Sequence, residues 1–518
     1  MSLKNKRRFL LALLLIFNIF LVFYVIRIDS DETETGGPKA NLEEGKALAK
    51  KYCQSCHLLP NPSLLPKEMW ETGVMPSMGP FFGFKSFKGQ LYHQINDVDP
   101  STFPANPIID SLEWQLMVDY FVQTAPDFLQ PHPNKIANLE ELPFFNIELP
   151  HEASFYGKVS MTSYVKIDTS VNPHRILVSD AMDQKFYVLN PNLKLLSSVK
   201  TPGPIVDIVF QNKILLACNI GNDVEANNLR NGTVLPLEIN AQQIVLDAKP
   251  FFNKLARPVK ITQADLNIDG RTDYVISQFG NVIGDLSWRE GLANGQFKIH
   301  ILRNKPGVLT TIVKDSNKDG KPDIWALFAQ GDEGIFLYTN NGNGEMKERQ
   351  VLRFPPSYGS TSFDLVDFNK DGFLDIIYTC GDNADYTPVL KPYHGVYIYL
   401  NNGKNNFKQD YFYPINGCYK AIARDFDKDG LVDIATISFF PSAKQPEEAF
   451  IYLQNKGNNN FKPYKLPVNT PFEKGITMDA ADLDGDGKQD ILIGNGFYNS
   501  NETDNRKQPL FIILKNKS

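Results

Sequence analysis

Hydrophobic and polar residues follow three different patterns along the chain, and each pattern predicts a different structure. From Phe9 to Ile26 every residue except Asn18 is apolar. Between residues 41 and 128 apolar residues recur at the spacing of amphipathic helices. After residue 151 short β-branched and aromatic runs are separated by Asn, Asp and Gly, which is typical of strands joined by turns. We therefore expect a multidomain protein with an N-terminal transmembrane helix, a small all-α domain and a C-terminal all-β domain.

These changes of pattern divide the chain into five segments. Residues 1–28 form a basic flank and an apolar helix, 29–40 a linker, 41–128 the all-α domain, 129–150 a Pro-rich linker and 151–518 the all-β domain. A length of 518 residues agrees with more than one domain.

The apolar N-terminal run predicts a membrane anchor. Lys4, Lys6, Arg7 and Arg8 precede it, and the run approaches the ~20 residues that cross a bilayer. Because basic flanks stay in the cytoplasm, the remainder of the chain is expected in the periplasm or another extracytoplasmic space. The alternative is a cleaved signal peptide, which places the chain in the same compartment.

The composition of the chain argues against one class of partner, nucleic acids. The chain is 42% hydrophobic and 22% charged, as expected of a globular protein, and its net charge of −6 is spread along the sequence. No basic cluster suited to nucleic acid follows the N-terminal flank, so no nucleic-acid partner is expected.

The first predicted helix of the all-α domain ends in a Cys-x-x-Cys-His motif formed by Cys53, Cys56 and His57. This is the attachment motif of c-type haem. Two thiols one helical turn apart can each add to a vinyl group, and the adjacent imidazole becomes the proximal iron ligand. We therefore predict one covalently bound haem c.

A zinc site and a thioredoxin-type redox pair are the alternatives for the two cysteines. Zinc would require a second pair of ligands, whereas Cys218, Cys380 and Cys418 are distant and solitary. A thioredoxin motif would follow a strand rather than end a helix. Haem attachment is therefore the favoured interpretation.

Residues 40 to 128 resemble a small class I cytochrome c. The resemblance rests on Gly45 in the first helix, on the Cys53 to His57 motif and on a closing helix, SLEWQLMVDYFVQTAP, that contains Tyr120. It implies electron transfer and a methionine as the distal iron ligand.

The segment MWETGVMPSMGPFFG supplies the candidates for the distal ligand. Met78 is the preferred residue, and Met75 is the alternative. Met69 and Met117 fall on helical faces and are expected in the core. His93 lies in an insertion from Phe81 to Ile109 that departs from the family pattern, and it is a third option.

The all-β domain contains five copies of the pattern D-x-[DN]-x-D-G-x-x-D, at intervals of roughly 50 to 58 residues. Such intervals fit one four-stranded propeller blade each. Two further units without the acidic loop complete seven blades across residues 151 to 518. We expect a closed seven-bladed ring; a solenoid is the alternative.

These repeats resemble the FG-GAP, or VCBS-type, repeats of integrin-like β-propellers. Oxygen side chains at positions 1, 3, 5 and 9 of such a loop can converge on one hard cation, and Gly at position 6 allows the sharp turn. The interpretation is up to five structural calcium ions; the alternative is a set of Asn/Asp-rich turns. The predicted ligands are Asp265, Asn267, Asp269, Asp273, Asp315, Asn317, Asp319, Asp323, Asp367, Asn369, Asp371, Asp375, Asp425, Asp427, Asp429, Asp433, Asp482, Asp484, Asp486 and Asp490.

The loops that join the second and third strands of the blades should all emerge opposite the calcium loops. They are rich in aromatic and charged residues, so this face is a candidate site for a polar small molecule or a glycan. The alternative is an ordered polar loop that packs on its neighbours. The candidate residues are Trp288, Arg289, Asp332, Glu333, Asp382, Asn383, Asp385, Tyr386, Lys391, Tyr393 and His394.

Three functions agree with these features. The favoured one is a membrane-anchored electron-transfer protein that meets a redox partner protein, with the propeller as a binding module. The second is an oxidoreductase in which the propeller binds a sugar or an alcohol and passes electrons to the haem. The third is a calcium-dependent adhesion protein. Enzymatic activity is left open, because the sequence contains no flavin motif, quinone site or second metal constellation.

Overall fold

The computed structural model describes residues 42–92, 98–133, 139–211, 214–240, 243–383, 387–498 and 506–518. Within these ranges no helix is long and apolar enough to cross a membrane. The predicted anchor and the linker after it, residues 1–40, lie outside the described residues.

The N-terminal part of the described chain is a small helical unit, residues 42–92 and 98–128. Its helices are α1 (Leu42–Tyr52), α2 (Lys67–Met69), α3 (Met75–Met78) and α4 (Ser111–Thr124). One π-helical turn joins α2 to α3 at Trp70–Val74. Short 3₁₀ turns lie at Cys53–Ser55, Pro62–Leu64, Gly79–Phe82 and Pro100–Thr102. A two-stranded ribbon pairs Ser86–Phe87 with Gln90–Leu91.

Helices α1 and α4 cross at a glycine. A Cβ atom on Gly45 would lie 2.1 Å from the carbonyl oxygen of Leu116 and 3.0 Å from the Cβ atom of Tyr120. Only glycine therefore permits this close approach. Asp110 and Glu113 form a capping box that starts α4. The crossing agrees with the arrangement expected of the first and last helices of the all-α domain.

The remainder of the described chain is a seven-bladed β-propeller, as the repeat spacing predicts. Blade 1 contains Val159–Asp168, Arg175–Asp180, Lys185–Leu189 and Leu195–Lys200. Blade 2 contains Ile205–Gln211, Ile214–Asn219, Gly232–Ile239 and Ile244–Leu246, and Phe252–Leu255 also pairs with its third strand. Blade 3 contains Pro258–Ala264, Asp273–Gln278, Asp285–Gly291 and Phe297–Arg303.

The later blades repeat the same antiparallel order. Blade 4 contains Val308–Lys314, Asp323–Phe328, Gly334–Asn340 and Met346–Arg353. Blade 5 contains Ser360–Val366, Asp375–Cys380, Gly395–Asn401 and Phe407–Pro414. Blade 6 contains Cys418–Arg424, Asp433–Ser438, Phe450–Asn455 and Phe461–Lys465. The second strand of blades 3 to 6 is buried at every residue, because neighbouring blades pack on both of its faces.

Blade 7 closes the ring with strands from both ends of the domain. Its first three strands are Met478–Ala481, Asp490–Gly494 and Phe511–Asn516, and its outer strand is Phe145–Glu148. Gly496–Tyr498 pairs with the first strand of blade 1, and Gln508–Pro509 pairs with Tyr156–Gly157. These pairings exclude the solenoid.

The predicted linker 129–150 is partly a component of the propeller. Glu140–Glu141 adds a short parallel strand to the outer edge of blade 6, and Phe145–Glu148 belongs to blade 7. The propeller therefore starts before residue 151. The sequence pattern could not reveal this, because two short strands paired with distant partners leave no periodic signal.

Loss of the Phe145 side chain from the outer strand of blade 7 should destabilise the propeller. Phe145 is 3% exposed and contacts the rings of Phe426 and Tyr452 at centroid distances of 6.1 and 5.8 Å. Replacement of Phe145 by Ala should lower the free energy of unfolding by about 3–5 kcal/mol. The measurement is chemical denaturation, with the exposed Phe128→Ala as the control; equal stability of the two variants would contradict this role.

Candidate functional site

The cysteine–histidine motif directly follows α1. The chain continues from Tyr52 into a single 3₁₀ turn, and the amides of Cys56 and His57 both donate to the Cys53 carbonyl oxygen, at 3.3 and 3.4 Å. Cys53 is half-buried and Cys56 is exposed, and both are free thiols. The turn therefore places two thiols about one helical turn apart with the imidazole next to them.

The geometry of His57 suits a metal ligand. Its Nδ1 atom lies 2.9 Å from the carbonyl oxygen of Leu58. Because a carbonyl can only accept, Nδ1 must carry the proton, which leaves the lone pair on Nε2. Burial lowers the pKa of His57, so the imidazole is held neutral. A neutral imidazole whose other nitrogen is fixed by a hydrogen bond is the usual form of a metal-binding histidine.

The alternatives for the cysteine pair gain no support from its surroundings. Burial, with a contribution from Cys56, raises the pKa of the Cys53 thiol to about 11, whereas a redox-active pair needs a lowered pKa. Among the described residues, the groups of three or more side chains that could hold a metal consist only of aspartates. Neither a thioredoxin-type site nor a zinc site is favoured.

Both methionine candidates for the distal position belong to the apolar cluster that also contains Cys53. Met75 is buried in this cluster, and Met78, at the end of α3, is half-buried at its edge. Met117 is fully buried and Met69 packs against the cluster, as expected of core residues. His93 lies outside the described residues. A residue at the edge can turn toward a bound group with less repacking, which keeps Met78 the preferred candidate.

The propeller covers this helical unit with loops of blades 4 and 5. The Tyr393 hydroxyl donates to the carbonyl oxygen of Leu64 at 3.0 Å. Val389 packs against the apolar cluster of the helical unit. Burial is the main cause of the lowered pKa of His57, and Asp332, which raises it, and Arg353, which lowers it, are minor causes from blade 4. The face predicted to bind a ligand is therefore, at these blades, an interface within the chain.

Two residues predicted for the ligand face lie elsewhere. Trp288 and Arg289 belong to the third strand of blade 3, near its calcium-loop end, where Arg289 pairs with Tyr274. Trp288 is buried and stacks on His300 at 4.3 Å. Their assignment to the loop is wrong, because the loop ends at residue 284 and the strand begins at Asp285.

The other described candidates lie in the predicted loops but are engaged within the protein. Asp332 accepts hydrogen bonds from Arg303 and Arg353, at 3.0 and 2.8 Å. Lys391 is buried and donates to the Asn383 side chain at 2.9 Å. Asp382 is half-buried. His394 is the exception, because it is buried and neither of its ring nitrogens has a hydrogen-bond partner among the described residues. Asp385 and Tyr386 lie outside the described residues. These contacts agree with the alternative of an ordered loop that packs on its neighbours.

Glu333 is a buried acid between blades 4 and 5. Its carboxylate accepts hydrogen bonds from the amide and the hydroxyl of Ser360, at 3.1 and 2.7 Å. Burial nevertheless raises the pKa of Glu333 to about 8. The folded protein therefore holds a proton on Glu333 near neutral pH that the unfolded chain releases.

Because folding raises the pKa of Glu333, the stability of the folded protein should depend on pH. Because the pKa is raised on folding, the cost of ionising Glu333 is absent below about pH 4.5 and grows as the pH rises toward 8. Glu333→Gln keeps an acceptor for Ser360 and removes that cost. The variant should gain on the order of 1–3 kcal/mol of stability over the native protein at pH 8, and much less at pH 5. Denaturation at both pH values tests this; an equal change at each would contradict it.

The five acidic loops join the first and second strands of blades 3 to 7, as predicted. In each loop the first aspartate accepts the amide of the position-6 glycine, at 2.8 to 3.0 Å. The position-6 glycines have φ angles from 81° to 89°, a backbone conformation that glycine adopts without strain. The position-9 aspartate begins the second strand and is buried in every case. Among the described residues, the carboxylates at positions 1, 3 and 9 come within 4.8 Å of one another in blades 6 and 7, and the position-5 aspartates, Asp429 and Asp486, are not part of these groups.

Two matches to protein-family models fall on this part of the chain. Residues 315–378 match the FG-GAP-like repeat, and residues 475–506 match the FG-GAP repeat. The propeller carries FG-GAP repeats. No curated protein matches the chain.

Solved structures of low similarity also match. One is the crystal structure of Saccharomyces cerevisiae Sqt1, with 10% identity, coverage of 68% of this chain and 83% of that chain, and a TM-score of 0.41. Another is a chain of the S. cerevisiae structure of a Dbp5 variant bound to Nup159, a Gle1 variant, IP6 and ADP. It has 13% identity, coverage of 74% and 97%, and a TM-score of 0.41.

The acidic loop of blade 6, residues 425–433, fits a cation well. One oxygen each of Asp425, Asp427 and Asp433 lies within 4.8 Å of the others. The Oδ1 atom of Asp425 is buried without a hydrogen-bond partner among the described residues. A buried carboxylate oxygen without a donor is costly unless a cation binds it. This loop has the donor set that calcium prefers.

The FG-GAP loop of blade 7 differs, because a lysine lies among its carboxylates. The Lys515 ammonium is 2.7 Å from Asp484 and 3.0 Å from Asp490. The position-9 carboxylate of Asp490 also accepts the amides of Leu483 and Asn516. A calcium ion here must compete with an ammonium group that already neutralises the loop, so this loop should bind calcium more weakly than that of blade 6.

Sequence reasoning missed an asparagine at the end of the third strand in blades 4 to 7. Asn340 donates its side-chain amide to the Leu266 carbonyl of the preceding blade, at 2.7 Å, and Asn516 does the same to Phe426 at 2.8 Å. Asn340, Asn401, Asn455 and Asn516 also donate their backbone amides to the position-9 aspartate of their own blade. The sequence did contain a signal for this contact, because an Asn recurs at the end of the third strand, in most cases directly before a polar turn.

Proposed function

We propose that the chain is a membrane-anchored, exported c-type cytochrome that transfers electrons through one haem held by Cys53, Cys56 and His57. The observation that carries the proposal is the fixed tautomer of His57, which directs a free Nε2 lone pair away from Leu58 one turn after Cys53. The close crossing of α1 and α4 at Gly45 also supports a cytochrome c-like unit. The haem supplies an iron that changes oxidation state by one electron.

The residues of the chain take distinct parts in this function. Cys53 and Cys56 would hold the group covalently, and His57 would bind its iron through Nε2. Met78 is the proposed distal ligand and Met75 its alternative. The aromatic cluster that includes Trp70 and Trp114 excludes water from the helical unit, and a dry, apolar surrounding favours the reduced iron.

The propeller is proposed to bind up to five calcium ions in its FG-GAP loops and to serve as a module for a ligand or partner. Calcium would be structural, because each loop links two strands of one blade. The electron donor or acceptor would be a redox partner protein in the extracytoplasmic space. A separate sugar or alcohol site gains no support from the blade 4 and blade 5 loops, which contact the helical unit.

A redox titration of protein made with the haem-maturation machinery tests the electron-transfer role. The visible spectrum should change reversibly between oxidised and reduced forms with the stoichiometry of one electron per chain. A bound haem that mild reductants and oxidants leave unchanged would reject electron transfer.

A further inference from the structure

The first strand of each propeller blade lines the central channel of the ring. Side chains on such a strand alternate in exposure, because successive residues point to opposite faces. In blade 3, Lys260 and Thr262 are half-buried and Ile261 between them is buried. In blade 5, Ser362 and Asp364 are half-buried around a buried phenylalanine. The half-buried positions of these strands therefore form the wall of the channel.

Two lysines of this wall are each paired with an aspartate of the preceding blade. Lys260 lies 3.0 Å from Asp207 of blade 2, and Lys166 of blade 1 lies 3.0 Å from Asp479 of blade 7. Each aspartate also accepts the backbone amide of the residue that follows the lysine, at 3.0 and 2.8 Å. The charges of these two lysines are therefore compensated within the protein.

Lys420 of blade 6 differs from these two lysines. It lies four residues before Arg424, which pairs with the position-9 aspartate of its blade, and Lys260 occupies the same level in blade 3. At this level the preceding blade carries Ser362 in place of an aspartate. The Lys420 ammonium has no ion-pair or hydrogen-bond partner among the described residues.

The aspartate on the first strand of blade 5 does not compensate Lys420. Asp364 lies two residues further along that strand than Ser362, accepts the amide of Leu365 at 2.9 Å and lies 3.4 Å from Arg424. Burial lowers the pKa of Lys420, although part of its side chain remains open to solvent. Both observations agree with an ammonium group in a narrow, water-accessible channel. A cation enclosed in this way is costly without a counter-ion.

We propose that the central channel of the propeller binds a small monocarboxylate at Lys420, beside Ser362. One carboxylate supplies the single negative charge that Lys420 lacks, and its two oxygens can accept from the ammonium and the hydroxyl. A monoanion suits the site better than a dianion, because Asp364 and the two paired aspartates already place negative charge on the wall. This inference goes beyond the proposed function and depends on neither haem nor calcium.

Saturation-transfer difference NMR of the full chain with sodium acetate tests the proposal. The native protein should bind acetate, and Lys420→Met should weaken that binding by at least about tenfold, because a charge-assisted hydrogen bond is lost. Lys420→Arg keeps the charge and should retain binding. Acetamide has the same shape as acetate without the charge, and it should not compete with acetate.

Lys314→Met is the matched control, because Lys314 lies on the first strand of blade 4 but at its exposed end. It should bind acetate as the native protein does. No acetate binding by the native protein, equal affinity in Lys420→Met, or equal binding of acetamide would overturn the inference. If Lys420→Met does not fold, the contrast between Lys420→Gln and Lys420→Arg decides. Protein without haem or calcium would reject those parts of the proposed function and leave this test valid.

Discussion

Replacement of both Cys53 and Cys56 by alanine should abolish covalent attachment of haem, and either single replacement should reduce it strongly. The two thiols are the only groups of the motif that can form thioethers, and the turn at Cys53–Ser55 sets their spacing. The expected loss is complete for the double variant. The measurement is haem absorbance and haem-dependent peroxidase activity on the chain after denaturing electrophoresis.

Ser55→Ala is the control for this experiment, because Ser55 lies between the two cysteines and has no thiol; its hydroxyl contacts the Tyr52 carbonyl oxygen at 2.6 Å and the Cys56 sulfur at 3.6 Å. It should retain haem. His57→Ala should allow some attachment but change the visible spectrum, because the proximal ligand is lost. Retention of covalent haem by the double cysteine variant would contradict the assignment of the motif.

Removal of calcium should destabilise the propeller. Ions that bind only the folded protein stabilise it by about 2.7 kcal/mol when present at a hundred times their dissociation constant. Calcium-saturated protein should therefore melt several degrees higher than chelated protein. Differential scanning calorimetry with and without chelator measures the difference.

Variants in the acidic loops of blades 6 and 7 can show whether calcium binds there or whether the loops are held only by their own hydrogen bonds. Asp425→Asn should remove part of the calcium-dependent stability, because Asp425 Oδ1 has no hydrogen-bond donor among the described residues to replace the ion. Lys515→Gln should strengthen calcium binding in the blade 7 loop, because its ammonium group lies 2.7 Å from Asp484. No effect of chelator, together with no calcium by elemental analysis, would show that the loops are turns held by their own hydrogen bonds.

Calcium binding in the blade 6 loop should also depend on pH. Burial raises the pKa of Asp433 to about 6, so the position-9 carboxylate is protonated below that value. Because calcium binds the ionised carboxylate, affinity should rise as the pH increases through about 6.

The regular part of the propeller could be predicted because it repeats. Each D-x-[DN]-x-D-G-x-x-D loop needs a glycine with positive φ and an aspartate that starts a buried strand, and both constraints leave a mark in the sequence. The closing strand Phe145–Glu148 leaves no such mark, because it pairs with Phe511–Asn516 at the other end of the domain. Long-range pairing of a short strand is set by the whole ring and not by local pattern.

The candidate ligand face was only partly predictable for a similar reason. The sequence located Asp332, Glu333, Lys391 and Tyr393 in the predicted loops. It could not show that Glu333 contacts Ser360 of the next blade or that Tyr393 contacts Leu64 of the helical unit. Trp288 was misplaced because a loop and the following strand cannot be separated within a residue or two. The Cys53, Cys56 and His57 motif was visible in the sequence because its residues are close along the chain, and its assignment to haem stays a prediction.

Mass spectrometry of the purified chain under denaturing conditions is the most direct test of covalent haem attachment at Cys53 and Cys56. Protein made with the haem-maturation machinery should carry the mass of one haem, and the peptide that contains Cys53 and Cys56 should carry it after proteolysis. A chain of unmodified mass, with both thiols open to alkylation, would contradict the account.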